Sequence, residues 1–155
     1  GGGFAGVETA AQVNDFVRAA GRFSPRIDPA EVRVVLVHAG PRVLPEVSEK
    51  LSAYALRQLG RRGVDVRLGT RVKGCEADRV ALSTGEELPT HTLVWAAGVS
   101  AHPLLAGLDL PKGAGGRVAV DAGMRSVGRP EVWALGDCAA VPDLARGGVC
   151  PPTAQ

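Results

Sequence analysis

An α/β fold with a parallel sheet wound on both faces is predicted by three features of this 155-residue chain. A glycine-rich start, Gly1-Gly2-Gly3-Phe4-Ala5-Gly6, runs directly into a helical apolar pattern. The continuous apolar run Val34-Val35-Leu36-Val37 has the composition of a strand buried on both faces. Helix and strand patterns then alternate as far as Leu68, as a doubly wound unit requires. A hydrophobic content of 45% supports one domain with a substantial core, or parts of two, and argues against disorder.

The first helix is marked by Ala10, Val13, Phe16, Val17 and Ala20, whose three- and four-residue steps describe one face, and Gly21 stops it. A polar, proline-bearing stretch from Arg22 to Arg33 leads into the Val34–Val37 strand, which the Gly40-Pro41 turn closes. A second amphipathic helix is expected from about Pro45 to Arg62, on Val47, Leu51, Tyr54, Ala55 and Leu59, with Gly63 as its cap. Val64, Val66 and Leu68 read as the next strand.

Short runs follow at Arg71 to Cys75, Arg79 to Leu82 and Glu86 to Leu88, with turn residues between them, and predict a small antiparallel meander. Thr92-Leu93-Val94-Trp95-Ala96 returns to a buried-strand composition and exits through Ala97-Gly98. Beyond it lie strands at Arg117 to Val120 and Val132 to Leu135, and a turn at Gly136-Asp137. A glycine turn of this kind is presented by a buried strand before it. The sequence opens on the first glycine, so the expectation is a fragment whose leading strand is missing.

Composition narrows the function. With 18 basic against 16 acidic residues and no basic run interleaved with aromatics, nucleic acid is not the expected partner. The longest apolar stretches fall far short of the roughly 18 residues a membrane-spanning helix needs. No export signal is visible, and the default compartment is the cytoplasm. Cys75, Cys138 and Cys150 form an odd set without CxxC spacing, so neither a disulfide framework nor a metal site is expected.

In the pattern G-x-G-x-x-G, Gly1 makes the tight turn, Gly3 allows close approach of a pyrophosphate, and Gly6 lets the helix pack closely. The helix start supplies free N–H groups and partial positive charge to the phosphates. Glu8 falls in the expected first helical turn, where the macrodipole favours a carboxylate whatever its function. His38 stands at the end of the second strand, where an NAD-selective unit usually carries Asp or Glu. With Arg42 four residues on, it is open to three readings: tolerance of a 2′-phosphate, a neutral donor to an unphosphorylated ribose, or an exposed loop histidine. Val132 to Leu135 ends in Gly136-Asp137, an ordinary turn by itself. Following a glycine-rich unit and the Ala96-Ala97-Gly98 exit, it reads better as a flavin contact.

At these residues the chain resembles the type II NADH:quinone oxidoreductases, within the wider FAD-dependent pyridine-nucleotide oxidoreductases. The matching segments are Gly1 to Glu8, Gly40-Pro41-Arg42-Val43-Leu44-Pro45, Thr92 to Val99, Leu135-Gly136-Asp137-Cys138-Ala139 and Pro151-Pro152-Thr153-Ala154-Gln155. The resemblance implies a Rossmann-like nicotinamide-binding domain at residues 1–97, with the meander, and a returning part of an FAD-binding domain at 98–155. It implies hydride transfer from NADH to FAD, with NADPH not excluded, and electrons passing on to a quinone. It further implies a peripheral position on the inner face of the cell membrane, reached through parts outside this chain, and is compatible with a homodimer.

Carried over by position, Gly1, Gly3, Gly6 and Glu8 serve the nicotinamide cofactor, and His38 and Gly98 are further cofactor-binding candidates. Gly136 and Asp137 meet FAD, and Ala154-Gln155 begin the segment beside the flavin where the quinone head docks. His38 departs from the acidic residue frequent at its position. The cofactor carries the redox chemistry, so no acid, base or nucleophile is assigned. The rivals are a sulfide:quinone-type flavoenzyme, because Cys138 and Cys150 are distant in sequence, and a non-catalytic dinucleotide-binding redox sensor. The isolated 155-residue fragment is expected not to turn over.

Overall fold

The computed structural model describes residues 1–24, 26, 28 and 30–151. The chain forms two compact units, Gly1–Gly98 and Val99–Gln155.

In the first unit, helix α1 (Phe4–Gly21) leads to strand β1 (Val34–Val37), helix α2 (Glu49–Arg61) and strand β2 (Val64–Arg67). β1 and β2 pair in parallel, with Val34 opposite Val64 and Val37 opposite Arg67. An antiparallel sheet follows, of β3 (Val72–Cys75), β4 (Arg79–Leu82) and β5 (Glu87–Pro89) in that order. The twofold alternation of a strand divides β1 between two cores. Leu36 and Val34 join Ala10 of α1 and Leu59 of α2 on one side, while Val35 and Val37 meet Val80, Leu82 and Leu88 of the meander on the other. The parallel pair is thereby covered on both faces, as its apolar composition requires.

Three local expectations are corrected. α1 buries Gly6, Ala10, Asn14 and Gly21, whereas Phe16 is 72% exposed and Val13 is also exposed. Small residues on the inner stripe let the helix approach closely, and buried Asn14 is satisfied twice: its Nδ2 donates to the Arg62 carbonyl and its Oδ1 accepts from Arg18. α2 begins at Glu49, not near Pro45, because Ser48 caps it, its side chain accepting the Leu51 N–H. Its end is as expected, with Gly63 at φ +81 just past the Arg62 cap. Thr92–Ala96 joins no described strand, and Leu93, Val94 and Trp95 are exposed. Strand composition does not suffice where no neighbouring backbone accepts and donates the ladder bonds.

The second unit is built of short elements: β6 (Val118–Ala119), β7 (Arg125–Ser126), β8 (Arg129–Trp133) and β9 (Ala139–Ala140). β6 pairs with β9 in parallel and β7 with β8 antiparallel. Val118, Val120, Ala134 and Ala139 form its core, with Leu105, Leu110, Cys138 and Val141 against it. Between β8 and β9, Gly136–Cys138 makes a single 3₁₀ turn.

Candidate functional site

The glycine turn is pinned at every residue before the helix. The Gly1 nitrogen donates to the Val37 carbonyl at 3.0 Å, and the Gly2 N–H donates to His38 Nδ1 at 3.0 Å. The Gly2 carbonyl accepts from Leu44 N–H at 2.7 Å, and the Gly3 carbonyl accepts from Val7 N–H at 3.0 Å. The turn thus sits on the carboxyl end of β1, where ligands of open α/β sheets collect.

Packing explains two of the three motif glycines. A Cβ on Gly1 would lie 2.1 Å from the Ala96 carbonyl oxygen, and one on Gly6 would lie 1.7 Å from the Gly1 carbonyl oxygen. Both neighbours are backbone, so neither can move aside cheaply. Gly3 differs, because a Cβ there would meet nothing within 4 Å. The open space lies at the N-cap of α1, where no side chain caps the helix. Among the described residues, no acceptor meets the N–H groups of Gly3, Phe4, Ala5 or Gly6. Unpartnered donors beside an open space at a helix start suit a phosphate anion, so this cradle fits the pyrophosphate of a dinucleotide.

Ala96 closes one side of the turn through its contacts with Gly1 and Gly6, and Gly98 follows it at φ +100. Glu8 is exposed in the second turn of α1, accepting a bond from Gln12 at 3.2 Å; the helix starts at Phe4, earlier than the apolar pattern suggests.

His38 is half-buried and hydrogen-bonded, which removes the reading of an exposed loop histidine. Its backbone is fixed on both sides, with His38 N–H donating to the Arg67 carbonyl and the His38 carbonyl accepting from Thr70 N–H. Burial holds the imidazole below the ordinary histidine range; the Arg42 backbone and the charge of Glu46 oppose this without reversing it. The Arg42 guanidinium turns into its own loop, donating to the Pro45 carbonyl at 2.7 Å and the Val47 carbonyl at 3.1 Å. Sequence pairs His38 with Arg42 as candidates for one ligand group, whereas the structure commits each to a different backbone partner.

In the second unit, Gly136 has φ +70 and open space where its Cβ would be, and Asp137 opens the 3₁₀ turn. Asp137 is exposed and its carboxylate has no partner among the described residues. A carboxyl acceptor on a tight turn suits a polyol hydroxyl, so this turn fits the ribityl chain of a flavin. Cys138 donates to the Leu135 carbonyl and Cys150 approaches the Pro142 carbonyl, both local contacts. No cluster able to hold a metal ion is present among the described residues. Ala154 and Gln155, with Pro152 and Thr153, lie outside the described residues.

The family described as Pyridine nucleotide-disulphide oxidoreductase matches residues 1–149. The whole chain is 34% identical to a probable NADH dehydrogenase of Dictyostelium discoideum, covering 34% of that protein. It is 32% identical to a type II NADH:quinone oxidoreductase of Haemophilus influenzae, covering 35% of it. The chain therefore spans about a third of the length of these curated relatives. Among solved structures, NDH2 from Plasmodium falciparum in complex with NADH superposes with a TM-score of 0.79 over 91% of this chain and 31% of that one. At 20% identity that likeness concerns the fold alone. A ferredoxin reductase from Rhodopseudomonas palustris superposes with a TM-score of 0.71 at 28% identity, covering 97% of this chain and 35% of that one.

Proposed function

This chain belongs to the pyridine nucleotide-disulphide oxidoreductase family, and on that basis we propose that it is the nicotinamide-binding unit and a flavin-contacting segment of an NADH:quinone oxidoreductase of the type II, non-proton-pumping kind. The observation that carries the reading is the open space beside Gly3, ringed by the N–H groups of Gly3 to Gly6, which have no acceptor among the described residues. Similarity to relatives named for NADH and quinone chemistry supports the choice of donor and acceptor.

The roles follow from the residues. Gly3 leaves room for the pyrophosphate, and the helix start directs its donors and dipole at it. Gly1 and Gly6 let α1 and Ala96 close on the turn, so that these donors point one way. Asp137 accepts from the flavin ribityl chain, and Gly136 allows the backbone to come close to it. Glu8 and Gly98 border the nicotinamide end, and Ala154-Gln155 border the quinone. When bound, the flavin supplies the two-electron chemistry that links a hydride donor to a quinone; the protein's part is to hold donor and acceptor in line. The division of labour follows residues 1–97 for the nicotinamide and 98–155 for the flavin.

The full-length enzyme acts at the inner face of the cell membrane as a peripheral protein, with quinone as its partner and a homodimer as its assembly. No described helix here is long and apolar enough to cross a membrane. The test is anaerobic absorbance of the full-length flavoprotein: NADH is expected to bleach the flavin band and a quinone to restore it. A flavin that NADH leaves oxidised, or a protein without flavin, would refute the proposal.

A further inference from the structure

The reading of the glycine turn as a nucleotide site is the premise here. We propose that His38 is a positioning residue for nucleotide binding: its neutral imidazole holds the Gly2 N–H through Nδ1 and thereby fixes the direction in which the turn presents its free donors.

Three observations converge on this ring. First, the Gly2 N–H has His38 Nδ1 as its acceptor, at 3.0 Å. Second, the ring fills the space beside two glycines. A Cβ on Gly2 would lie 2.7 Å from His38 Cγ, and one on Gly40 would lie 2.8 Å from His38 Nε2. The G-x-G pattern leaves its middle position open to any residue, so a glycine there follows from His38 and not from the motif. Third, the His38 backbone is bonded to Arg67 and Thr70, which fixes the main-chain position from which the ring reaches the turn.

An Nδ1 that accepts leaves the ring proton on Nε2. Protonation would place a second donor against the Gly2 N–H and break the bond. The side-chain charge acting on the ring is that of Glu46, one carboxylate oxygen of which is buried without a hydrogen-bond partner among the described residues, while the Arg42 guanidinium turns away into its own loop. The imidazole is held below its ordinary range, so the lock is fully present above about pH 6.5, the unfolded value, and is lost as pH falls through the lower folded value.

The test uses the full-length flavoprotein with NAD⁺, which survives acid, as the calorimetric probe. Wild-type affinity is expected to hold through neutral pH and to fall only as pH drops through the lowered folded value of the imidazole. His38→Asn keeps an acceptor that does not titrate, so it should bind like the wild type at neutral pH with a flat profile. His38→Leu removes the acceptor that fixes the turn and should bind roughly tenfold more weakly at neutral pH, equivalent to about 1.4 kcal/mol. Unchanged affinity in His38→Leu, a wild-type pH profile in His38→Asn, or wild-type affinity that rises on acidification would overturn the proposal. Nitrogen-15 spectra of the His38 ring give a readout independent of both ligand and variant folding: Nε2–H is expected, and an Nδ1–H ring overturns the lock. Failure of the wild type to bind NAD⁺ and NADH at any pH would instead overturn the nucleotide reading, with the tautomer still deciding whether the lock exists.

Discussion

The turn at Gly1–Gly6 and the turn at Gly136-Asp137 use the same residue type for different physical reasons. In the first, Gly1 and Gly6 are glycines because backbone atoms occupy the place of a side chain, at 2.1 and 1.7 Å from a built Cβ. In the second, Gly136 has open space around it and is a glycine because its φ is +70. The first site is a product of packing between elements far apart in sequence, bonded to Val37, His38 and Leu44. The second is a product of local chain geometry, with its carboxylate left exposed. A packing-built site is sensitive to volume and a conformation-built site to backbone preference, and substitutions can tell them apart.

Gly6→Ala should have the largest effect on the fold. The added methyl meets a carbonyl oxygen inside contact distance, and relief requires moving α1 off the turn. We expect a loss of about 3 kcal/mol or more, at or beyond the upper end of overpacking costs, read as a large drop in denaturation midpoint. A midpoint within experimental error of the wild type would mean that helix and turn are not packed as described.

At Gly136 the penalty is conformational. Gly136→Ala should destabilise by about 1–2 kcal/mol through the left-handed backbone alone, and Gly136→Asn by less, because asparagine tolerates this region. Equal losses for the two variants would indicate that volume and not φ governs the position, and the contrast between the sites would collapse.

This contrast also explains what could be read from sequence. Period and composition sufficed for β1, whose Val34–Val37 run needs cover on both faces, and for the meander, whose turns are spelled out by Glu76-Ala77-Asp78 and Ser83-Thr84-Gly85. The inner face of α1 was not legible, because apolar spacing favours Val13 and Phe16 while the real contact is made by Gly6, Ala10 and a twice-bonded Asn14. Thr92–Ala96 has the residues of a strand, but pairing depends on neighbours that composition does not reveal. The start of α2 did carry a signal, Ser48 before Glu49, which the apolar pattern around Val47 obscures. For the site, the glycine spacing announces the turn, whereas the contact of His38 with Gly2 joins residues 36 apart and leaves no mark in local pattern.

Two substitutions should spare the fold altogether and so sharpen the functional side of the comparison. Asp137→Asn removes a charge with no protein partner among the described residues, so stability should change by no more than about 0.5 kcal/mol. Flavin retention on dialysis should nonetheless fall if the carboxylate accepts from the ribityl chain; full retention would remove Asp137 from the site.

Gly3→Ala is the most discriminating change, because it should do least to the protein and still disable the nucleotide site. Gly3 has φ −76 and ψ −172, extended backbone open to alanine, and its Cβ would touch nothing in the chain. Its stability should therefore stay within about 0.5 kcal/mol of the wild type. If the space is the pyrophosphate cradle, the methyl must meet the ligand, and NADH affinity should fall roughly tenfold or more, equivalent to about 1.4 kcal/mol. Titration of NADH against both proteins, beside their thermal melts, separates the two quantities. A stable variant that binds NADH normally would show that the phosphates do not lie over Gly3, whereas an unstable one would show that the space is not open.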